Sequence, residues 1–229
     1  MSTLVLRLAG PMQAWGLEDK FNRRGTARGP TKSGVIGLLA AAMGCRREAS
    51  LGDFADLRFG MLAVRPGQLL RDYHTVSRDG QKTDFVTERF YLADAIFLVG
   101  LEGEEAFLQE LHEAVESPVF PLYLGRRSCP PVGRVSLGVR RETLQTALEQ
   151  AFYAESPSAR EPYYTLTCDA QEPCATRQRD MPISFAPAHR KHGYRYTENR
   201  VVQTGKQQAD TEHDAFAELG GDEDISLTN

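Results

Sequence analysis

Gly29-Pro30-Thr31-Lys32-Ser33-Gly34-Val35-Ile36-Gly37-Leu38-Leu39-Ala40-Ala41-Ala42-Met43-Gly44 is the stretch from which the fold of this 229-residue chain is read. Pro30 presets φ for a helix start, Thr31 or Ser33 can cap it, and Gly44 offers a stop. Val35, Ile36, Leu38, Leu39, Ala42 and Met43 make the segment apolar nearly all the way round, which predicts a buried helix. Gly34 and Gly37 weaken it by roughly 1 kcal/mol each relative to Ala, so a neighbour is expected to need close approach there. Arg23, Arg24, Arg28 and Lys32 gather just upstream, where a helix N-terminus already favours anions. Lys32-Ser33 does not complete a phosphate-binding P-loop. Thr31 stands where that motif needs Gly, and Gly29 is out of register beside a stiff Pro30.

Upstream of this helix, residues 3–9 alternate, with Leu4, Leu6 and Leu8 on one face and Arg7 on the other, as in a half-buried strand. The breaker-rich loop Gly10-Pro11-Met12-Gln13-Ala14-Trp15-Gly16 follows and carries the only tryptophan, either a core plug or a stacking platform. Downstream, residues 59–64 predict a second strand. Runs 69–76 and 85–91 flank a turn-rich segment in which Asp79-Gly80 signals a hairpin. Its arms carry Arg71, Tyr73, His74, Arg89 and Tyr91 rather than a clean apolar face, so it is expected to project from the body. Residues 95–99 form a continuous apolar run, hence a central strand. Residues 104–116 are an amphipathic helix with Phe107, Leu108, Leu111 and Val115 as its stripe, and Val135, Leu137 and Val139 alternate in a further strand.

The order strand, helix, strand, hairpin, strand, helix, strand predicts an α+β, ferredoxin-like (RRM-like, split βαβ) domain over residues 1–140, with the hairpin inserted at about 70–92. A helix at 142–152, a strand at 163–168 and a basic, aromatic segment at 189–200 are too few for a second domain. They are expected to form a short C-terminal extension, 141–203, packed on the first. Residues 207–229 hold seven carboxylates and no Lys or Arg; against a net charge of −4, residues 1–206 therefore carry +3. The tail over 204–229 is expected to be acidic and disordered, and the mildly basic body is of the kind that meets polyanions. No apolar run reaches membrane-spanning length and no signal-type leader precedes the first strand, so the reading is cytoplasmic. Four cysteines without a Cys-x-x-Cys, and a His189-x-x-His192 pair inside an Arg-, Lys- and Tyr-rich run, predict neither a disulfide framework nor a metal or cofactor.

Four motifs carry a family resemblance: Leu6 to Gly16, Pro30-Thr31-Lys32-Ser33-Gly34, Leu70-Arg71-Asp72-Tyr73-His74-Thr75-Val76, and Tyr123-Leu124-Gly125-Arg126-Arg127-Ser128-Cys129-Pro130. In that order they resemble the CasD family, the type I-E CRISPR Cascade subunits that hold the 5′ handle of the guide RNA. The similarity runs from about Leu4 to about Val202, leaving the acidic tail without a counterpart. It implies a RAMP-type fold with a thumb hairpin, a partner CasC backbone subunit, the large CasA subunit, and target DNA met only through the complex. It also implies a binder without catalytic residues, because another subunit makes the processing cut. In RNA-binding roles it places Arg126 and Arg127 around the Gly125 turn with Ser128, and Arg24, Arg28, Lys32 and Ser33 by the opening helix. The thumb would contribute Arg71, Tyr73, His74 and Arg89, and the first loop Gln13 and Trp15 as base contacts.

A metal-independent endoribonuclease is the competing class. It needs a base for the 2′-OH, an acid for the leaving 5′-oxygen and a cation for the phosphate. Tyr73, His74 and Lys82 offer those groups, but as strand neighbours Tyr73 and His74 must point to opposite faces.

Overall fold

A computed structural model describes residues 1–16, 23–76, 85–155, 163–170 and 176–203, a mixed α/β fold with mostly antiparallel sheet. The first half runs β1 (Ser2–Ala9), β2 (Met12–Gln13), β3 (Arg23–Arg24), α1 (Lys32–Ala42), α2 (Gly52–Ala55), β4 (Arg58–Arg65), β5 (Gln68–Val76) and β6 (Phe85–Ala93). The second runs β7 (Ile96–Gly103), α3 (Glu105–Glu116), β8 (Ser136–Arg140), α4 (Leu144–Glu155), β9 (Tyr163–Asp169), β10 (Thr176–Ser184) and β11 (Lys191–Gln203). The seven-stranded main sheet has the order β10-β11-β9-β4-β7-β1-β8. Because β7 pairs antiparallel with both β1 and β4, those two run parallel on either side of it, joined by α1. In the same way α3 leads from β7 to β8 on the far side of β1.

The opening helix starts where its sequence says. Thr31 caps it by accepting from the Gly34 N–H at 3.2 Å, and Gly44 ends it with φ at +76°. Gly34 is small because of Trp15, whose ring would stand 2.8 Å from any Cβ there. The first strand differs from expectation. Leu4, Leu6 and Leu8 pack with α1 and α3 in one core, but Val5 is buried in a second core with Leu144, Leu148 and Phe152 of α4. Both faces of β1 are therefore covered, and each buried leucine contributes about 2 kcal/mol. The helix approaches closely because Gly60 and Gly100, opposite each other on β4 and β7, present bare backbone. A Cβ on Gly100 would lie 2.5 Å from Leu144 Cδ1.

The C-terminal residues continue the main sheet edge to edge, since β9 pairs with the free edge of β4 and β11 with β9. An open strand edge leaves backbone donors and acceptors unpaired, and this addition satisfies them. A buried ionic cluster then pins the extension to the start of α1. Arg195 donates to both Asp180 oxygens (2.6 and 2.8 Å) and to Asp169 (2.6 Å), while Lys32 Nζ donates to Asp169 at 3.0 Å. Burial on its own would depress the Arg195 pKa, but hydrogen bonds and charge from Asp180 and Asp169 outweigh it and raise the value.

β5 and β6 form a regular antiparallel hairpin from Gln68↔Ala93 to Val76↔Phe85. It does not stand free of the body along its whole length. The other edge of β6 takes β2 and the two-residue, parallel β3, which stitches the hairpin's base to the first loop. The Asp79-Gly80 turn, Lys82 and the acidic tail lie outside the described residues. Among the described residues no helix is long and apolar enough to cross a membrane.

Candidate nucleic-acid interface

Five separate stretches meet along α1: the first loop, the residues after β3, the segment after α1, the turn at 123–129 and the tip of the β10–β11 hairpin. Between them lies a groove of about 800 Å³, with Phe120, Tyr123 and Phe185 among its walls and Arg46 and Arg47 at its rim. It continues into a smaller cavity of about 210 Å³ lined by Arg24, Arg126 and the glycines 16, 25, 34 and 125. Ser33, Gly34, Gly125 and Arg190 line both, so the two are one continuous depression. Local chemistry accounts for the shape. Gly37 leaves the α1 surface open, with Phe185 3.7 Å from where its Cβ would be. The 123–129 turn is closed by Leu124 N–H to Cys129 carbonyl (2.7 Å) and Cys129 N–H to Arg126 carbonyl (2.9 Å). Burial pushes the Cys129 thiol pKa up, as expected for a packing residue.

Several of the expected contacts are made inside the chain instead. Gln13 and Trp15 are fully buried: Gln13 Nε2 donates to the Leu8 and Ala95 carbonyls, and Trp15 Nε1 donates to Gln13 Oε1. Neither has surface to offer a base, because the loop's glycines and proline fold both side chains inward. Lys32 is likewise buried and spent on Asp169. The anion expected at the start of α1 is the protein's own: Asp180 accepts from the Lys32 backbone N–H at 2.9 Å. Gly125 takes φ +83° against the Ala14 carbonyl, and its N–H donates to the Tyr123 carbonyl rather than outward.

Arg126 lines the groove, but its fork is occupied, donating to the carbonyls of Phe90, Arg24 and Gly25 while the guanidinium lies 4.7 Å over the Tyr91 ring. It acts as a positioning residue, fixing the strand that presents Arg24. Arg24 and Ser33 do line the depression. Arg28, Arg127 and Ser128 are exposed outside its walls. On the hairpin, Arg71, Tyr73 and His74 are exposed. Arg71 pairs with Glu88 and leans on Tyr73, whereas His74 sits 3.3 Å from Asp72, so Tyr73 and His74 do occupy opposite faces. Arg89 stands opposite Arg24 in the β3–β6 pairing, and its Nε is buried with no acceptor among the described residues.

Reasoning from sequence missed Arg46, Arg47 and Arg190. The dibasic Arg46-Arg47 directly after the helix stop was available as a signal. For Arg190 the basic segment was visible, but not that β10 and β11 would return it to α1.

Fold and site define a mixed α/β protein with an arginine-lined groove beside a β-hairpin. The chain belongs to the CRISPR-associated Cas5 family: the family model described as CRISPR-associated protein (Cas_Cas5) matches residues 3–198. It is 40% identical over 160 residues to the CRISPR system Cascade subunit CasD of Escherichia coli (strain K12), covering 60% of this chain and 70% of that one. A chain of a solved CRISPR RNA-guided surveillance complex aligns with TM-score 0.71 and 30% identity, over 88% of this chain and 90% of its own. A crystal structure of a Cas protein aligns with TM-score 0.70 and 36% identity, over 88% and 95%.

Proposed function

We propose that this protein is a non-catalytic RNA-binding subunit of the type I-E CRISPR surveillance complex, gripping the 5′ handle of the guide RNA for antiviral defence. The observation that carries the reading is the convergence of Arg24, Arg46, Arg47 and Arg190 on one groove, in a chain of the Cas5 family. Cations and aromatic walls suit single-stranded RNA, whose phosphates meet arginine forks while bases stack. Arg89 Nε, buried without an acceptor among the described residues, is consistent with a polyanion passing alongside the hairpin. The order β4-β7-β1-β8 with its two helical crossings supports the ferredoxin-like, RAMP-type reading, with β5–β6 as the thumb. CasC and CasA as neighbours, and a cytoplasmic location, go with this assignment. The nuclease reading is disfavoured by the separation of Tyr73 and His74 onto two faces, each with its own side-chain partner.

The test is the salt dependence of guide RNA retention in the assembled complex. Each phosphate neutralised on a single strand contributes about 0.7 to the slope of log affinity on log salt. Arg24→Ala with Arg190→Ala should flatten that slope by roughly 1.4 and weaken handle and scrambled RNAs alike. An unchanged slope would place the RNA elsewhere. Discrete cleavage of repeat RNA by the purified protein in EDTA would favour the nuclease.

A further inference from the structure

The groove along α1 combines two chemistries. Phe120, Tyr123 and Phe185 give it apolar walls, and Phe120 is still 44% exposed. Besides Arg126, whose fork is occupied, Arg24, Arg46, Arg47 and Arg190 line the two cavities against a single carboxylate, Glu48, among the described lining residues. An apolar surface left open to water and rimmed by charge marks an interaction site. A ligand that fits both parts carries anions and large apolar groups on one short stretch. The chain holds such a stretch. Residues 216–227 interleave Phe216, Leu219, Ile225 and Leu227 with Glu218, Asp222, Glu223 and Asp224, and contain no Lys or Arg. They lie outside the described residues, and their composition and reach are what bear on the groove. Arg190 directly precedes β11 and Gln203 ends it, so the tail begins about 40 Å from the groove, at about 3.3 Å for each strand residue. About twelve extended residues return that distance, at about 3.3–3.6 Å each. Phe216, thirteen residues past Gln203, is therefore within range, and so is everything after it.

We propose that residues 216–227 dock in this groove of their own chain, and that guide RNA displaces them when it binds. Phe216 and Leu219 would sit on the aromatic walls, with the following carboxylates on the arginines. The docking stands on charge, apolar surface and reach; its displacement by guide RNA rests on the proposed function. Tethering makes even a weak contact effective, because a segment joined by a short flexible chain is present at about millimolar local concentration. The same segment of a second copy would compete at only the concentration of the protein itself. A groove covered in about two molecules of three binds any RNA about three-fold more weakly than a bare one. A guide held at many phosphates and bases overcomes that factor easily, whereas a stray single strand is left at a disadvantage. A contact this weak dissociates as the sample warms, before the body unfolds, so the melting temperature does not report it.

The experiment uses the full-length chain at low salt and reads two quantities. One is alkylation of Cys45, on the groove wall, followed by peptide mass mapping; the other is affinity for a scrambled single-stranded RNA in a filter assay. Phe216→Ser combined with Leu219→Ser removes the anchors and keeps every charge. Docking predicts that Cys45 then alkylates about three-fold faster and that RNA binds about three-fold more tightly. Cys168, buried in the second core, should react at its wild-type rate and so reports that the body is intact. Glu218→Gln, Asp222→Asn, Glu223→Gln and Asp224→Asn together should release Cys45 in the same way. If the anchor variant leaves both quantities at wild-type values, the tail acts by charge at a distance at most, and the docking is overturned. Cys45 protection that grows with protein concentration would assign the groove to the tail of a second copy, which also overturns it. Faster alkylation of Cys45 with no gain in RNA affinity would uphold the docking and take RNA out of the groove, so the two readings fail separately.

Discussion

Gly125 shows how much a single residue carries in this protein. Its φ of +83° is strained for any L side chain, and a Cβ would fall 1.8 Å from the Ala14 carbonyl oxygen. Gly125→Ala should therefore cost about 2–4 kcal/mol, combining left-handed strain with displacement of the first loop, and lower Tm by several degrees in a thermal melt. A melt within a degree of wild type would mean that the two loops are not locked together. Thiol chemistry offers a second residue-scale check. Burial raises the pKa of Cys129 and Cys168, so at pH 8 they hold less thiolate than an ordinary cysteine, and the deficit closes only as pH rises further. Half-buried Cys45, on the groove wall, should alkylate well before either, as followed by peptide mass mapping, and bound guide RNA should slow it. Faster labelling of Cys129 than Cys45 would contradict the packing of the 123–129 turn. At this scale residue identity was a weak guide. Gln13, Trp15 and Lys32 have side chains that bind RNA or fill a core equally well, and only burial separates the two uses.

The element that most depends on distant partners is the C-terminal hairpin. Asp180 satisfies Arg195 twice and also caps α1 through the Lys32 N–H. Asp180→Ala would leave a buried guanidinium short of its counter-charge, a loss of about 3–5 kcal/mol that urea denaturation would register. Arg195→Met with Asp180→Leu, which removes both charges, should cost much less; equal losses in the two variants would show that charge pairing is not what matters there. The elements themselves were largely legible. The cap at Thr31, the stop at Gly44, the stripe of α3 and the two arms of the β5–β6 hairpin are where local patterning puts them, because caps, periodicity and turn residues act within one or two turns of chain. Their surroundings were not. The alternation of β1 reads as one solvent face, yet α4 arrives from far down the chain to cover it.

For the molecule as a whole, charge is divided between body and tail. Removing residues 207–229 takes the net charge from −4 to +3. The truncated protein should melt at the same temperature and bind scrambled RNA several-fold more tightly at low salt, the gain vanishing as salt screens it. Unchanged binding to scrambled RNA in a filter assay would mean that the tail's charge does not reach the binding surface. The sequence by itself determined the α+β alternation, the start of the central helix, the place of the hairpin and, through four motifs, the family. Tertiary structure alone decided which cations face solvent. Lys32 and Arg126 look as available as Arg24 in the sequence, but one is paired in a buried cluster and the other is held by three carbonyls. It also brought Arg46 and Arg190, far apart in the chain, to the walls of one groove. The reason is physical: secondary structure follows from short-range sterics and periodicity, whereas a cation's role depends on which carboxylates and carbonyls the folded chain returns to it.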